Sequence, residues 1–102
     1  MGTVPFWLSR IDNRWLHAPR KSTRKQPGDY FRENFHVTTS GMFGVQAFLC
    51  VYQTLGADRI LFAVDYPFES NEQGARFIDS LPICDADRQK ICSANAEKLL
   101  AL

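Results

Sequence analysis

The sequence predicts an α/β fold with parallel strands. Helix-type and strand-type patterns alternate along the 102 residues, and this alternation is typical of strand–helix–strand units. Residues 60–64 are five apolar residues without alternation, which indicates a strand buried on both faces, as in a parallel sheet. Asp65 directly follows that strand and Pro67 then turns the backbone away. One carboxylate is therefore expected at the carboxyl end of the sheet.

The part of the chain before residue 35 is predicted to be a helix followed by a long loop. Residues 5–16 begin with Pro5, which suits the first turn of a helix, and apolar side chains recur there at helical spacing. Those side chains are Trp7, Ile11 and Trp15, with Leu8 beside them. Residues 17–28 hold two prolines, a glycine and four basic side chains, which predicts an exposed loop. A short helical turn is expected at residues 29–33.

The middle of the chain predicts a strand, a helix and the second strand. Residues 35–40 are rich in β-branched side chains, which favour a strand. Residues 42–55 place four apolar side chains on one helical face, and Gly56 follows where a left-handed C-terminal cap belongs. The four apolar side chains are Phe48, Val51, Tyr52 and Leu55.

Two helices are predicted after the second strand. Ser70 and Gln73 match a capping box, in which the serine side chain accepts a backbone N–H and the glutamine side chain reaches back. A helix is therefore expected from this point to about Asp79. Asp85 is expected to cap a further helix, which has a kink near Ser93.

Composition and charge exclude several classes of protein. An apolar content of 45% is enough for a core, and a formal net charge of +1 gives no field that favours nucleic acid or an anionic membrane. No apolar run approaches the roughly 18 residues of a membrane helix. The cysteines are Cys50, Cys84 and Cys92. Their odd number and the absence of CxxC spacing indicate reduced thiols in a cytoplasmic protein, and not a zinc knuckle or disulfide framework.

Two strands are too few for an independent parallel sheet. A parallel pair that is buried on both faces needs neighbouring strands. Ordering about 100 residues costs on the order of 150 kcal/mol of conformational entropy, which a two-stranded unit offsets poorly. We therefore expect the chain to be part of a larger sheet or barrel, or to fold only with partners.

Six short motifs extend over most of the chain in a fixed order. They are PFWLSRID at 5–12, DYF at 29–31, NFHVTTSG at 34–41, LGADRILF at 55–62, DYPFE at 65–69 and NAEKLL at 95–100. In this combination the chain resembles the carboxyl-terminal part of the amidohydrolase-related decarboxylases. That family includes γ-resorcylate (2,6-dihydroxybenzoate), 2,3-dihydroxybenzoate and aminocarboxymuconate-semialdehyde decarboxylases. The motifs at 34–41 and 65–69 together favour its benzoate-decarboxylase branch.

The resemblance implies that residues 1–102 are the C-terminal portion of an amidohydrolase-related domain, an incomplete (β/α)8 TIM barrel. Residues 35–40 would be the seventh strand and residues 60–64 the eighth, with flanking helices. The implied activity is that of a metal-dependent, cofactor-independent carboxy-lyase on hydroxybenzoate-type aryl acids, in a cytoplasmic homo-oligomer. One divalent metal ion, zinc or manganese, is expected. The family takes the remaining metal ligands from earlier strands, so the isolated chain is expected to be inactive.

Asp65 is the candidate catalytic and metal-binding residue. The resemblance gives the aspartate that ends the eighth strand two roles, as a metal ligand and in handling the proton. Both roles are chemically reasonable, because carboxylates are hard ligands for zinc or manganese and protonation of an aromatic carbon needs a positioned acid. The alternative is an aspartate that caps a helix or stabilises a turn.

Arg10 and Phe68 are the candidate substrate-binding residues. Arg10 matches an arginine that the family places near the substrate, and a guanidinium suits a bidentate grip on an aryl carboxylate. The alternative for Arg10 is a surface salt bridge with Asp12 or Asp58. Phe68 matches an aromatic side chain of the family's substrate site, where a ring can pack against an arene. The alternative for Phe68 is ordinary core packing.

The histidines and the basic loop are interpreted as structural or exposed. His36 lies near the start of a strand, at the end of a barrel opposite the chemistry, and His17 leads from a helix into a loop. Basic side chains cluster at residues 20–25 without interleaved aromatic residues, so a solvated loop or a subunit contact is preferred to a nucleic-acid site. They are Arg20, Lys21, Arg24 and Lys25.

Two other functions stay open on the sequence. One is a metal-dependent hydrolase of the amidohydrolase superfamily, which pocket residues from other strands would distinguish from a lyase. The other is a non-catalytic module for interaction or oligomerisation.

Overall fold

The computed structural model describes residues 3–102 and shows the alternation of helices and strands that the sequence predicts. Its helices are α1 (Val4–Leu16), α2 (Pro27–Asn34), α3 (Val45–Leu55), α4 (Asn71–Ser80), α5 (Asp85–Gln89) and α6 (Asn95–Leu99). Its strands are β1 (Val37–Thr38) and β2 (Ile60–Leu61). A 3-10 turn spans Ala57–Arg59, and a π-helical turn, Lys90–Ala94, joins α5 to α6. No helix within residues 3–102 is long and apolar enough to cross a membrane.

The two strands pair in parallel, as the apolar run predicts, but they are shorter than the sequence suggests. The register places Val37 opposite Ile60 and Thr38 opposite Leu61. The backbone N–H of Thr39 still donates to the carbonyl oxygen of Leu61 at 3.1 Å, but beyond that bond it is the Thr39 side chain that pairs with Ala63. Its hydroxyl donates to the carbonyl oxygen of Ala63 at 2.8 Å and accepts the N–H of Ala63 at 3.1 Å. Thr39 is fully buried and holds the two chain segments together beyond the strands.

The outer edge of β2 is covered by the C-terminal helical segment. The side-chain amide of Asn95 donates to the carbonyl oxygens of Ala57 at 2.6 Å and Ile60 at 2.9 Å. The N–H of Phe62 donates to the carbonyl oxygen of Ile91 at 2.9 Å. Buried backbone groups need such partners, and here a side chain and a π-turn carbonyl supply them at Ile60 and Phe62.

The core lies between α3, β2, α4 and the π-helical turn. Its buried members are Phe48, Val51, Ala57, Ile60, Phe77, Ile78, Leu81 and Ile91. This confirms the predicted apolar face of residues 42–55. Helix α1 packs on α2 and α3, and its Leu8 is buried, whereas Trp7 and Ile11 are 50% and 39% exposed. The tryptophan-containing face of α1 is therefore not its buried face.

Helix ends agree with the predicted caps at one helix and differ at another. The Ser70 hydroxyl accepts the N–H of Gln73 at 3.3 Å, which confirms the serine cap of α4. Asp85 was expected to be a cap, but Cys84 occupies that position and Asp85 lies in the first turn of α5. The kink expected near Ser93 is the π-helical turn.

Candidate functional site

Asp65 follows β2 and holds an unusual backbone conformation. Its φ is 80°, a left-handed value that a non-glycine residue adopts at an energetic cost. The cost is offset locally because the Asp65 carbonyl oxygen accepts two N–H groups, from Phe68 at 2.9 Å and from Glu69 at 3.0 Å. The turn that these bonds close fixes the backbone from which the Asp65 side chain projects.

The Asp65 carboxylate is exposed and is not used by the fold. Among residues 3–102 it has no hydrogen-bond or ion-pair partner, and the next helix is capped by Ser70 instead. The interpretation of this side chain as a helix cap is therefore wrong. The backbone of Asp65 forms a turn, while its carboxylate is left free to bind a ligand.

Gly41 meets Asp65 at the carboxyl end of the sheet. Gly41 follows β1, has a φ of 66°, and donates its N–H to the carbonyl oxygen of Val64 at 3.2 Å. A Cβ atom at this position would lie 3.4 Å from Oδ2 of Asp65 and 3.8 Å from Cγ of Glu69. A space of about one methyl group therefore separates the backbone after β1 from the carboxylate after β2.

Phe68 projects from the same turn as Asp65. Its side chain is 83% exposed and that of Tyr66 is 74% exposed. Core packing, the alternative interpretation of Phe68, is therefore wrong for the residues that the structure describes. Both rings are exposed in the turn that follows Asp65.

Arg10 lies on α1, in a groove of about 480 Å³ that residues 3–14 line and Asp65 does not. Neither acidic partner considered for Arg10 pairs with it. Asp12 accepts the N–H of Gly28 at 2.7 Å, and Asp58 forms an ion pair with Lys90 at 3.0 Å. The assignment of Arg10 to a substrate stays a prediction, because no described contact brings it to Asp65.

The histidines lie away from Asp65, as the sequence indicates. His17 is exposed at the end of α1, where its Nδ1 lies 2.8 Å from the carbonyl oxygen of Asn13. His36 lines a groove of about 540 Å³ at the amino ends of the strands. Asp58 and Arg59 line the same groove. This groove is at the opposite end of the sheet from the carboxylate.

The basic loop is solvated, as the sequence indicates. Lys25 forms an ion pair with Glu33 at 2.9 Å, and the hydrogen bond in this pair raises the pKa of Lys25. The ammonium group of Lys21 lies 5.3 Å from the centre of the Trp15 ring. These contacts fasten the loop to α1 and α2.

The residues present can supply part of a metal site. Within the part of the chain that the structure describes, no three His, Cys, Asp or Glu side chains form a group that could hold a metal ion. The Asp65 carboxylate fits as a single oxygen ligand, since it is exposed, unpaired within this part of the chain and beside an open space. Any further ligands must come from other residues.

Comparison with known proteins gives the family. The amidohydrolase family model matches residues 11–102, which include both strands, Asp65 and Phe68. The chain belongs to the amidohydrolase family. This confirms the resemblance that the motifs carry.

Several of the family members that this chain matches are decarboxylases. Gamma-resorcylate decarboxylase of Rhizobium radiobacter is 41% identical, over 97% of this chain and 31% of the relative. A structure of 2,6-dihydroxybenzoate decarboxylase with 2,6-dihydroxybenzoate matches with a TM-score of 0.87 and 41% identity, over 97% of this chain and 32% of that chain. A dihydroxybenzoic acid decarboxylase from Polaromonas with bound manganese and 2-nitroresorcinol matches with a TM-score of 0.88 and 40% identity, over 98% and 31% of the two chains. The chain thus spans about a third of the length of these relatives.

Gly41 and Glu69 are the residues beside Asp65 that sequence analysis does not single out. The signal was present, because Gly41 directly follows the first predicted strand as Asp65 follows the second. Carboxyl ends of paired parallel strands meet at one edge of a sheet, so these positions were bound to be neighbours.

Proposed function

We propose that residues 1–102 form the C-terminal portion of an amidohydrolase-related domain, with β1 and β2 as the seventh and eighth strands of a (β/α)8 barrel. The proposed activity is metal-dependent, cofactor-independent decarboxylation of hydroxybenzoate-type aryl acids. The observation that carries this proposal is the free Asp65 carboxylate at the carboxyl end of β2, the end at which barrel enzymes hold their chemistry.

Asp65 is proposed as one ligand of a divalent metal ion. Manganese in the Polaromonas relative supports that choice of metal for this chain. When bound, such an ion would hold the hydroxyl and carboxylate oxygens of the aryl acid and stabilise developing negative charge. No three His, Cys, Asp or Glu side chains among the residues that the structure describes form a group for such an ion, so its further ligands are proposed to come from other strands of the barrel.

The same carboxyl group is proposed to handle the proton. Protonation of the ring carbon that bears the carboxylate interrupts aromaticity. The bond from that carbon to the carboxylate then breaks, carbon dioxide leaves, and the bonding electrons return to the ring. The proton from Asp65 ends on the ring carbon, so the reaction needs no redox partner. The exposed position of Asp65 on a fixed turn suits such a transfer.

Phe68 and Arg10 are proposed to bind the substrate, and α1 to contact another subunit. The exposed Phe68 ring would pack on the arene, and the Arg10 guanidinium would pair with the carboxylate of the aryl acid. The exposed Trp7 and Ile11 side chains on α1 suit a contact in a homo-oligomer. The free thiols at Cys50, Cys84 and Cys92 suit the cytoplasm.

A chimeric enzyme tests this proposal, because the chain spans 31% of the relative's length. Residues 1–102 replace the matching segment of the Rhizobium radiobacter gamma-resorcylate decarboxylase, and carbon dioxide release from 2,6-dihydroxybenzoate is measured with manganese. We expect turnover that Asp65→Asn lowers by at least about 100-fold, the usual scale for a lost acid or base. Asp79→Asn, an exposed position on α4, is the matched control and should keep full turnover.

Two results would contradict the proposal. Full turnover of the Asp65→Asn chimera would remove Asp65 from the chemistry. Manganese-dependent turnover by the isolated 102-residue chain would show that ligands from other strands are not needed.

A further inference from the structure

We propose that Gly41 is a positioning residue that determines how large a group can stand beside the Asp65 carboxylate. The proposal rests on the role of Asp65 as a metal ligand. It adds a specificity determinant from the other strand of the pair. Gly41 has no side chain, and this absence keeps the Oδ2 side of the carboxylate open to an ion and its aryl acid.

The backbone of Gly41 cannot move easily away from Asp65. Its N–H is bonded to the carbonyl oxygen of Val64, the residue immediately before Asp65. Its φ of 66° sets the direction in which a side chain would project. Along that direction the nearest atom is Oδ2 of Asp65 at 3.4 Å, and the next belong to Cβ of Asp65 and Cγ of Glu69, both at 3.8 Å.

A side chain at position 41 would therefore fill the open space without clashing. A separation of 3.4 Å is ordinary van der Waals contact, so a methyl group fits against the carboxylate. A metal ion bonds a carboxylate oxygen at about 2.0–2.2 Å and carries other ligands around it. A methyl group in contact with Oδ2 would compete with those ligands for the same space. The Cγ atom of Glu69 would also lie 3.8 Å from that methyl group, so Glu69 flanks the same space.

Two other glycines separate the effect of space from that of backbone strain. Gly56 also has a positive φ, 80°, but a Cβ there would meet nothing within 4 Å. Gly44 has an ordinary φ of −90° and is equally open. Gly56→Ala therefore places a side chain at a strained, positive φ without the contact, and Gly44→Ala introduces neither the strain nor the contact.

The test uses the full 102-residue chain and manganese chloride as the probe. Backbone amide NMR signals of residues 40, 41, 65, 66, 68 and 69 are followed, because paramagnetic broadening detects weak binding at a single carboxylate. We expect selective broadening that Asp65→Asn abolishes. Gly41→Ala should lower the slope of broadening against manganese concentration about tenfold, the scale on which groups that support a ligand alter metal affinity. Gly56→Ala and Gly44→Ala should leave the slope unchanged.

The possible failures are distinguishable. If Asp65→Asn keeps the broadening, the ligand role of Asp65 is wrong, and with it the proposed function. If Asp65→Asn abolishes it while Gly41→Ala keeps the wild-type slope, the role of Gly41 alone is overturned. Should Gly41→Ala not fold in the isolated chain, the same substitution is made in the chimeric enzyme, and manganese broadening is measured there. It should show the same loss of slope, and a wild-type slope would refute the proposal.

Discussion

Replacing the side-chain amide of Asn95 is the most direct test of how the backbone carbonyl groups at the outer edge of β2 are hydrogen-bonded. The change is Asn95→Leu, which keeps the volume of the side chain and removes both of its N–H donors. The Ile60 carbonyl oxygen then has no described donor, and Ile60 is fully buried. The Ala57 carbonyl oxygen keeps one hydrogen bond, because it still accepts the N–H of Ile60.

The expected loss of stability follows from this difference between the two carbonyl groups. A buried carbonyl left without a partner costs about 1–3 kcal/mol, and the loss of a second bond at a group that keeps another partner costs about 0.5–1.5 kcal/mol. We expect Asn95→Leu to lower the free energy of unfolding by about 2–4 kcal/mol, which few single substitutions exceed.

Urea unfolding followed by circular dichroism measures this loss. With a slope of about 1 kcal/mol per molar urea, the unfolding midpoint should fall by roughly 2–4 M. Asn34→Leu is the matched control, because the Asn34 amide also donates to a carbonyl, that of Tyr30 at 2.9 Å, but at an exposed position. It should change stability by less than about 0.5 kcal/mol. Equal effects of the two substitutions would refute the argument that burial makes the Asn95 bonds decisive.

Three further changes probe the core, a helix cap and an ion pair. Phe48→Ala empties a fully buried ring site and should cost about 3–5 kcal/mol in urea unfolding; a loss below 1 kcal/mol would contradict its place in the core. Ser70→Ala removes the cap of α4 and should cost about 1 kcal/mol in the same assay, with no loss expected if the cap is unused. Lys90 holds the pKa of Asp58 below its ordinary 3.8, so the pair stabilises the fold above that pH and the contribution is lost as pH falls through the lower, folded pKa. Lys90→Gln should raise the NMR titration midpoint of the Asp58 carboxyl towards 3.8, and an unchanged midpoint would exclude Lys90 as the cause.

The order of elements was predictable because it depends on local patterns. The apolar face of α3 and the serine cap of α4 each depend on residues that are close together in the sequence, and both predictions are confirmed. Strand length was not predictable from such patterns. Residues 35–40 have the composition of a strand along their whole length, but the regular ladder ends at Thr38. Beyond it, the buried Thr39 hydroxyl bonds to the backbone of Ala63, in the segment that follows β2. A side chain that replaces backbone bonding leaves no sign in composition.

The candidate site was predictable only in part, for a related reason. Asp65 could be singled out because an apolar strand runs directly into it. That its carboxylate is free could not be predicted, since the sequence does not tell whether an aspartate after a strand caps the next helix. Gly41 and Glu69 lie near Asp65 through the pairing of two strands and the closure of a turn.

The sequence by itself determined the alternation of helices and strands, the parallel pair, the family and the aspartate at the end of the second strand. These features depend on residue type and spacing along the chain. The tertiary structure decided which groups meet: Gly41 with Asp65, Thr39 with Ala63, and the amide of Asn95 with the edge of β2. The physical reason is that such contacts join residues 24 or more positions apart, where the packing of the elements, and not local propensity, fixes the distance.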